Sequence, residues 1–233
     1  MKMLKRIIFV VILVSISIGL LVVGNGYDMY KKAIEETPLA DKIEEIKSKE
    51  NYTPISELPK MYLNAVISVE DHRFYKHGGI DTIAIGRAIV NDIKVMDFVE
   101  GGSTITQQLS KNEYFTQEKQ ITRKIAEVFM ALHIEKNCEK NEILELYINT
   151  IYFGNGYYNI KEASLGYFGK LPKDMTDSEC IMLAGIPNAP SVYDLNKNPE
   201  LAKQRQKQVI KKMIEYGYLT QDEANGILSD SND

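Results

Sequence analysis

The chain opens with an apolar run. Ile7 to Val23 is hydrophobic apart from Ser15, Ser17 and Gly19, and Lys2, Lys5 and Arg6 precede it. The run exceeds the roughly 7–15 residues of a signal-peptide core and approaches the ~20 that cross a bilayer, so a spanning anchor over 7–24 is the first reading. Cleavage near Gly24-Asn25-Gly26 is the second. The positive charges should stay cytoplasmic, which sends the rest of the chain outside. From Asp28 to Glu50 Lys and Glu alternate around sparse Ile, a pattern that predicts a solvated helix or stalk, giving a connector over 25–55.

Pro54 and Pro59 mark a break, after which apolar periodicity from Met61 to Val69 predicts the first helix of a domain over 56–233. Ile80 to Val99 is densely apolar, with core predicted for its first half and contact with the membrane interface near Met96 to Val99. Ile143, Leu146, Tyr147, Thr150 and Ile151 share a helical face. Thr176 and Glu179 form a capping-box pattern ahead of Cys180 to Ile186, and Pro187 and Pro190 close that run. Asn198-Pro199 starts another helix that Gly217 stops, and Thr220 with Glu223 caps a last one. No useful alternating pattern occurs, so the predicted fold class is all-α.

The chain has 233 residues, room for one buried domain with small appendages, and a formal net charge of −4, which argues against nucleic acid as a partner. Its two cysteines, Cys138 and Cys180, form no CxxC pair and suggest no zinc site; whether they pair with each other is left open.

Three stretches carry candidate chemistry. Glu70-Asp71 ends the first domain helix, where adjacent carboxylates are disfavoured by repulsion and by the macrodipole. They read either as a solvated terminus with Arg73 as counter-ion, or as a general base in a cleft with Arg73 or another cation keeping it ionised. Gly101 to Asn112 joins two glycines to hydroxyls and amides able to bind phosphate or sugar oxygens, without the arrangement of a nucleotide-binding P-loop. Lys111, Lys119, Arg123 and Lys124 then form a local basic cluster that suits an anionic leaving group, or a solvated face. Glu127 follows Arg123 by four residues, a spacing that also fits a plain ion pair.

The order of these stretches is more specific than any one of them. Glu70-Asp71, Phe74, His77, Gly79 and Asp81 precede Gly101-Gly102-Ser103-Thr104-Ile105-Thr106-Gln107-Gln108-Leu109-Ser110-Lys111-Asn112, and Arg123-Lys124 with Glu127 follow. Lys140-Asn141-Glu142-Ile143-Leu144-Glu145-Leu146-Tyr147, Asn149, Ile151-Tyr152-Phe153-Gly154, Tyr167-Phe168-Gly169-Lys170 and Leu183-Ala184-Gly185-Ile186-Pro187 with Pro190 continue the series. The chain resembles the peptidoglycan glycosyltransferases, both the monofunctional enzymes and the N-terminal module of bifunctional penicillin-binding proteins.

The resemblance implies a lysozyme-like helical domain with a small hydrophobic part against the membrane. It also implies polymerisation of lipid II onto a growing lipid-linked glycan, with inversion and release of polyprenyl pyrophosphate. In that scheme Glu70 is the general base, Glu127 is the second essential carboxylate, and Lys111, Lys119 and Arg123 stabilise the leaving group. Ser103, Gln107, Gln108 and Asn112 are donor-site contacts, and Asp71 supports Glu70. No cofactor is required, although Glu127 could hold a divalent cation such as Mg or Mn. Lys119 stands where Arg is frequent in the family and Glu139 where Ser is common. No Ser-x-x-Lys occurs, so cross-linking is expected from partner transpeptidases.

Two other readings compete. A lytic glycan hydrolase would need an acid and a water route rather than a basic cluster. A membrane-tethered inactive scaffold would not need Glu70 and Glu127 intact.

Overall fold

The structure is a computed structural model that describes residues 2–87, 102–115 and 121–230. Among them the regular elements are all helical. In chain order they are α1 (Lys2–Glu36), α2 (Leu39–Lys47), α3 (Lys60–Glu70), α4 (Ile105–Tyr114), α5 (Ile121–Asn137), α6 (Lys140–Ile148), α7 (Ile160–Phe168), α8 (Asp177–Gly185), α9 (Pro199–Glu215) and α10 (Gln221–Asp230). Short 3-10 turns link several of them, and residues 82–87 are also helical.

Local chemistry sets the helix boundaries. Thr104 and Gln107 close a full capping box at the start of α4, and Thr176 and Glu179 close another at α8. The Thr220 hydroxyl accepts from the Glu223 amide at the start of α10. Asn198-Pro199 opens α9, which ends at Glu215 with Gly217 at φ 76° beyond it, where a left-handed backbone favours glycine.

Two packed groups share one core. Helix α3 packs on α8 and α9 through Tyr62, Ala65 and Val66 on one side and Ile181, Leu183, Val209 and Met213 on the other. Helix α4 packs on α5 and α6, burying Ile105, Leu109, Met130, Leu146 and Tyr147. Each fully buried side chain of this size contributes about 1.5–3 kcal/mol. The groups meet where α3 ends, and that junction positions the site.

Helix α1 is long and apolar enough to cross a membrane, and its apolar window is wholly unburied. It does not give way to a solvated stalk. The same helix continues to Glu36, Gly26 is buried against α5, and Leu39 and Ile46 of α2 lie in the core. The charged residues of 28–50 mask a second, apolar stripe of Tyr30, Ala33, Ile34, Leu39, Ile43 and Ile46 that packs on the domain.

The core expected for the start of 80–99 also differs. Ile83 is 58% and Ile85 38% exposed, because the Asp81 carboxylate caps the Ile83 and Ala84 amides and turns this short helix outward. Residues 88–99, where interfacial contact was expected, lie outside the described residues.

Gly79 lies where the loop after α3 is pressed against α5. A Cβ built there would stand 2.7 Å from the Ala131 carbonyl carbon, and the Gly79 carbonyl accepts the Thr104 hydroxyl at 2.8 Å. Both neighbours are constrained backbone, so Gly79→Ala should lower stability by about 1–3 kcal/mol in chemical denaturation. An unchanged midpoint would show that the loop can move aside.

Candidate active site

Helix α3 delivers Glu70 at its last position and Asp71 at its C-cap, where the backbone leaves helical geometry. The Asp71 carboxylate accepts the Ile105 amide, the first of α4, at 3.1 Å, and pairs with His77 Nε2 at 2.7 Å. The negative charge therefore meets the unpaired amides of a helix start, which favours it. Burial alone would lower the His77 pKa, but the hydrogen bonds to Asp71 and to the Gly78 carbonyl raise it. Both Asp71 oxygens are thus engaged inside the protein. Asp71, expected to support Glu70, ties α3 to α4.

Glu70 accepts a hydrogen bond from Gln108 Nε2 at 2.8 Å, and Tyr147 donates its hydroxyl to Gln108 Oε1 at 3.3 Å. Tyr147 thereby fixes which way the amide points. The other Glu70 oxygen is buried with no hydrogen-bond partner among the described residues. Burial pushes the Glu70 carboxyl above its ordinary pKa, against the lowering effects of Gln108, Arg205 and Lys111. Arg73 does not serve as its counter-ion. It pairs with Asp81 at 2.9 Å, since the loop after Asp71 carries it away from the helix end.

Gln108, Tyr147, Lys111 and Asn112 line a cleft of about 480 Å³, closed on its other side by Tyr152, Tyr158, Pro187 and Asn188. The far wall is built by a close approach at Gly154 (φ 82°), where an added Cβ would stand 2.9 Å from the Pro190 carbonyl oxygen. Tyr167 donates to the Phe153 carbonyl beside it at 2.9 Å. Burial lowers the Lys111 pKa, and among the described residues its ammonium has no hydrogen-bond or ion-pair partner.

Glu127 is almost wholly buried on α5. Arg123 Nε lies 3.0 Å from Oε1 and Lys124 Nζ 2.9 Å from Oε2. Lys124 also donates to the Ser103 hydroxyl at 2.7 Å, linking Ser103 to the same cluster. With a cation against each oxygen, the charge that a divalent ion would neutralise is already compensated, so these residues do not fit a metal on Glu127. Asp71, His77 and Asp81 place donor atoms within 4.8 Å of one another. Their atoms are committed to Ile105, to each other, to Arg73 and to the amides of Ile83 and Ala84.

Gln107 does not join the cleft. Its side-chain carbonyl accepts the Thr104 amide at 3.0 Å in the capping box, and the residue is buried. Lys119 lies outside the described residues. Cys138 and Cys180 are both free thiols, raised by burial to about 11 and about 12. Arg205 was not singled out from sequence. It follows the spacing of Val209 and Met213, which puts an arginine on the inward stripe of α9, and it donates to the Gly185 carbonyl at 3.3 Å.

The family described as Transglycosylase matches residues 37–214, three quarters of the chain. The chain belongs to this family. Its helical domain accordingly has the lysozyme-like class of fold. Penicillin-binding protein 1F of Bacillus subtilis is 46% identical over 75% of this chain and 25% of its own length. Penicillin-binding protein 1A of Aquifex aeolicus is 43% identical over 72% and 23%. A Cupriavidus necator protein named "Putative transglycosylase" is 41% identical over 84% of both chains. The chain thus spans about a quarter of those penicillin-binding relatives. The match begins at residue 37, before the expected domain start at 56, and takes in α2.

Two outcomes test these assignments. Removing one cation from buried Glu127 leaves it half-compensated, so Arg123→Gln should cost about 3 kcal/mol in a denaturant titration. A loss below ~0.5 kcal/mol would assign Glu127 a different environment. Because the folded-state pKa of Glu70 is raised, the native protein binds more protons than the unfolded chain between the two pKa values. Wild-type stability should therefore fall relative to Glu70→Gln as pH rises from the ordinary carboxylate range through the folded-state pKa. Parallel stability curves for the two proteins would contradict the raised pKa.

Proposed function

We propose that the chain is a peptidoglycan glycosyltransferase that polymerises lipid II on the outer face of the membrane. The observation that carries this reading is Glu70, a buried carboxylate of raised pKa held by Gln108 at the edge of a cleft that Lys111 also lines. One of its oxygens is buried with no hydrogen-bond partner among the described residues, which leaves it able to take a proton. A general base works best when its pKa approaches the working pH. The penicillin-binding relatives support the glycan substrate class, and α1 supports a lipid-linked one.

In the proposed reaction Glu70 takes the proton from the acceptor sugar hydroxyl, whose oxygen attacks the anomeric carbon of the donor from the face opposite the lipid pyrophosphate. The glycosidic bond forms with inversion as the carbon–oxygen bond to pyrophosphate breaks, and the electron pair leaves with the phosphate oxygen. Lys111 stabilises that charge in a partly desolvated setting, where a fixed cation is worth more than in water. Lys119 is proposed to contribute to the same stabilisation. Arg123 and Lys124 act through their pairing with Glu127, with Ser103 held by Lys124. Gln108 orients Glu70, and Asn112 is a donor-site contact at the cleft wall. Lys2, Lys5 and Arg6 at the start of α1 support an orientation with the catalytic domain outside. Penicillin-binding transpeptidases are proposed as partners that receive the glycan product.

The test is incubation of the detergent-solubilised full chain with lipid II and gel separation of products. Wild type should make polymer, and Glu70→Gln should lose at least ~100-fold of that rate, the scale of a general base. Folded wild type that makes no polymer in detergent or in liposomes would overturn the reading.

A further inference from the structure

Helix α5 has two working faces. Arg123 and Glu127 point into the site, joined by Lys124, whereas Ile125, Phe129 and His133 recur every four residues on a different stripe and meet α1. At 3.6 residues per turn, two positions along a helix is about half a turn, so the stripes lie back to back. The contact is close. Gly26 is buried, and a Cβ built on it would stand 2.6 Å from Ile125 Cγ2 and 3.0 Å from the Thr122 carbonyl oxygen. Next to it on α1, Tyr27 meets the Phe129 ring edge-on at 5.2 Å, and about one turn beyond Gly26 Tyr30 stacks on that ring at 6.1 Å. The Tyr30 hydroxyl shares a 3.1 Å hydrogen bond with His133 Nδ1.

We propose that α1 is more than a tether: through Gly26 it is a positioning element for α5, fixing the Arg123–Lys124–Glu127 cluster at one orientation to the membrane. The inference rests on the glycosyltransferase reading for its functional consequence, though not for its geometry. A lipid-linked substrate arrives at a height set by the bilayer. A site borne on a loose stalk would sample many orientations, whereas one whose charged helix is packed on the membrane helix is oriented before substrate binds. Glycine is required at 26 because neither side can yield: Thr122 presents backbone, and Ile125 is β-branched and held in the interface.

The full chain in detergent and in liposomes provides the test, using Gly26→Leu, Ile125→Ala and the double variant. Gly26→Leu should still fractionate with the membrane, yet lose roughly tenfold in kcat on lipid II, with KM little changed, because the helix carrying the cluster is displaced. Ile125→Ala opens the space that the new side chain needs, so the double variant should recover most of the rate, a rescue that general destabilisation would not give. Hydrogen exchange of the α5 amides gives a readout independent of catalysis: faster in Gly26→Leu, slowed again in the double variant. Wild-type activity in Gly26→Leu, or a loss that Ile125→Ala does not restore, would overturn the proposal. Polymer absent from wild type, with the exchange pattern as expected, would overturn the glycosyltransferase reading and leave the docking of α1 intact.

Discussion

Helix α3 ends on two carboxylates, and the first turns of α4 hold both of them. Asp71 takes the leading amide of α4, where a negative charge is favoured, while Gln108 one turn further in holds Glu70. Each carboxylate alone would be poorly placed at a helix C-terminus. Together with the capping box at Thr104 they lock the junction between the two packed groups of the core. Everything chemical in the molecule is arranged around that junction. Tyr147 reaches it from α6, the cleft opens beside it, and the Gly79 turn seals it against α5.

The junction separates the two carboxylates by environment. Asp71 is held on both oxygens, by an amide and by an imidazole. Glu70, one residue earlier, keeps a buried oxygen without a hydrogen-bond partner among the described residues, and burial raises its pKa. Glu127 has a cation against each oxygen, Arg123 and Lys124, so its burial secures geometry and charge placement.

The sequence was most legible where chemistry is local. The helix starts at Thr176 and Thr220 follow from hydrogen bonds within four residues and that at Asn198 from Pro199 behind it, and these three stand as read. The apolar stripe containing Leu146 and Tyr147 is likewise buried as read. What misled were side chains whose partner depends on tertiary packing. Arg73 next to Glu70 in sequence pairs with Asp81 instead, and Gln107, in a run of amides, turns back to cap its own helix. The 25–55 segment failed for a related reason. Lys and Glu on its outer face dominate the composition, while its buried stripe repeats at helical spacing and is visible only once α5 and α6 exist to receive it. Arg205 required knowing that α9 packs on α3.

The distribution of cations completes the picture. The proposed reaction has an anionic leaving group, which calls for positive charge concentrated locally in a chain of net negative charge, and the run from Lys111 to Lys124 supplies it in sequence. In space the run divides. Arg123 and Lys124 are consumed in neutralising a carboxylate that is almost fully buried, and its removal from water is tolerable only because of that pairing. Lys111 has no such partner among the described residues and faces the cleft, with burial pulling its pKa down. An ammonium that is disfavoured until an anion arrives binds that anion more strongly than a solvated one, because the anion supplies the stabilisation the protein withholds. The ion-paired cations therefore hold the helix in place, and Lys111, without a partner among the described residues, is free to respond to an anion that enters the cleft.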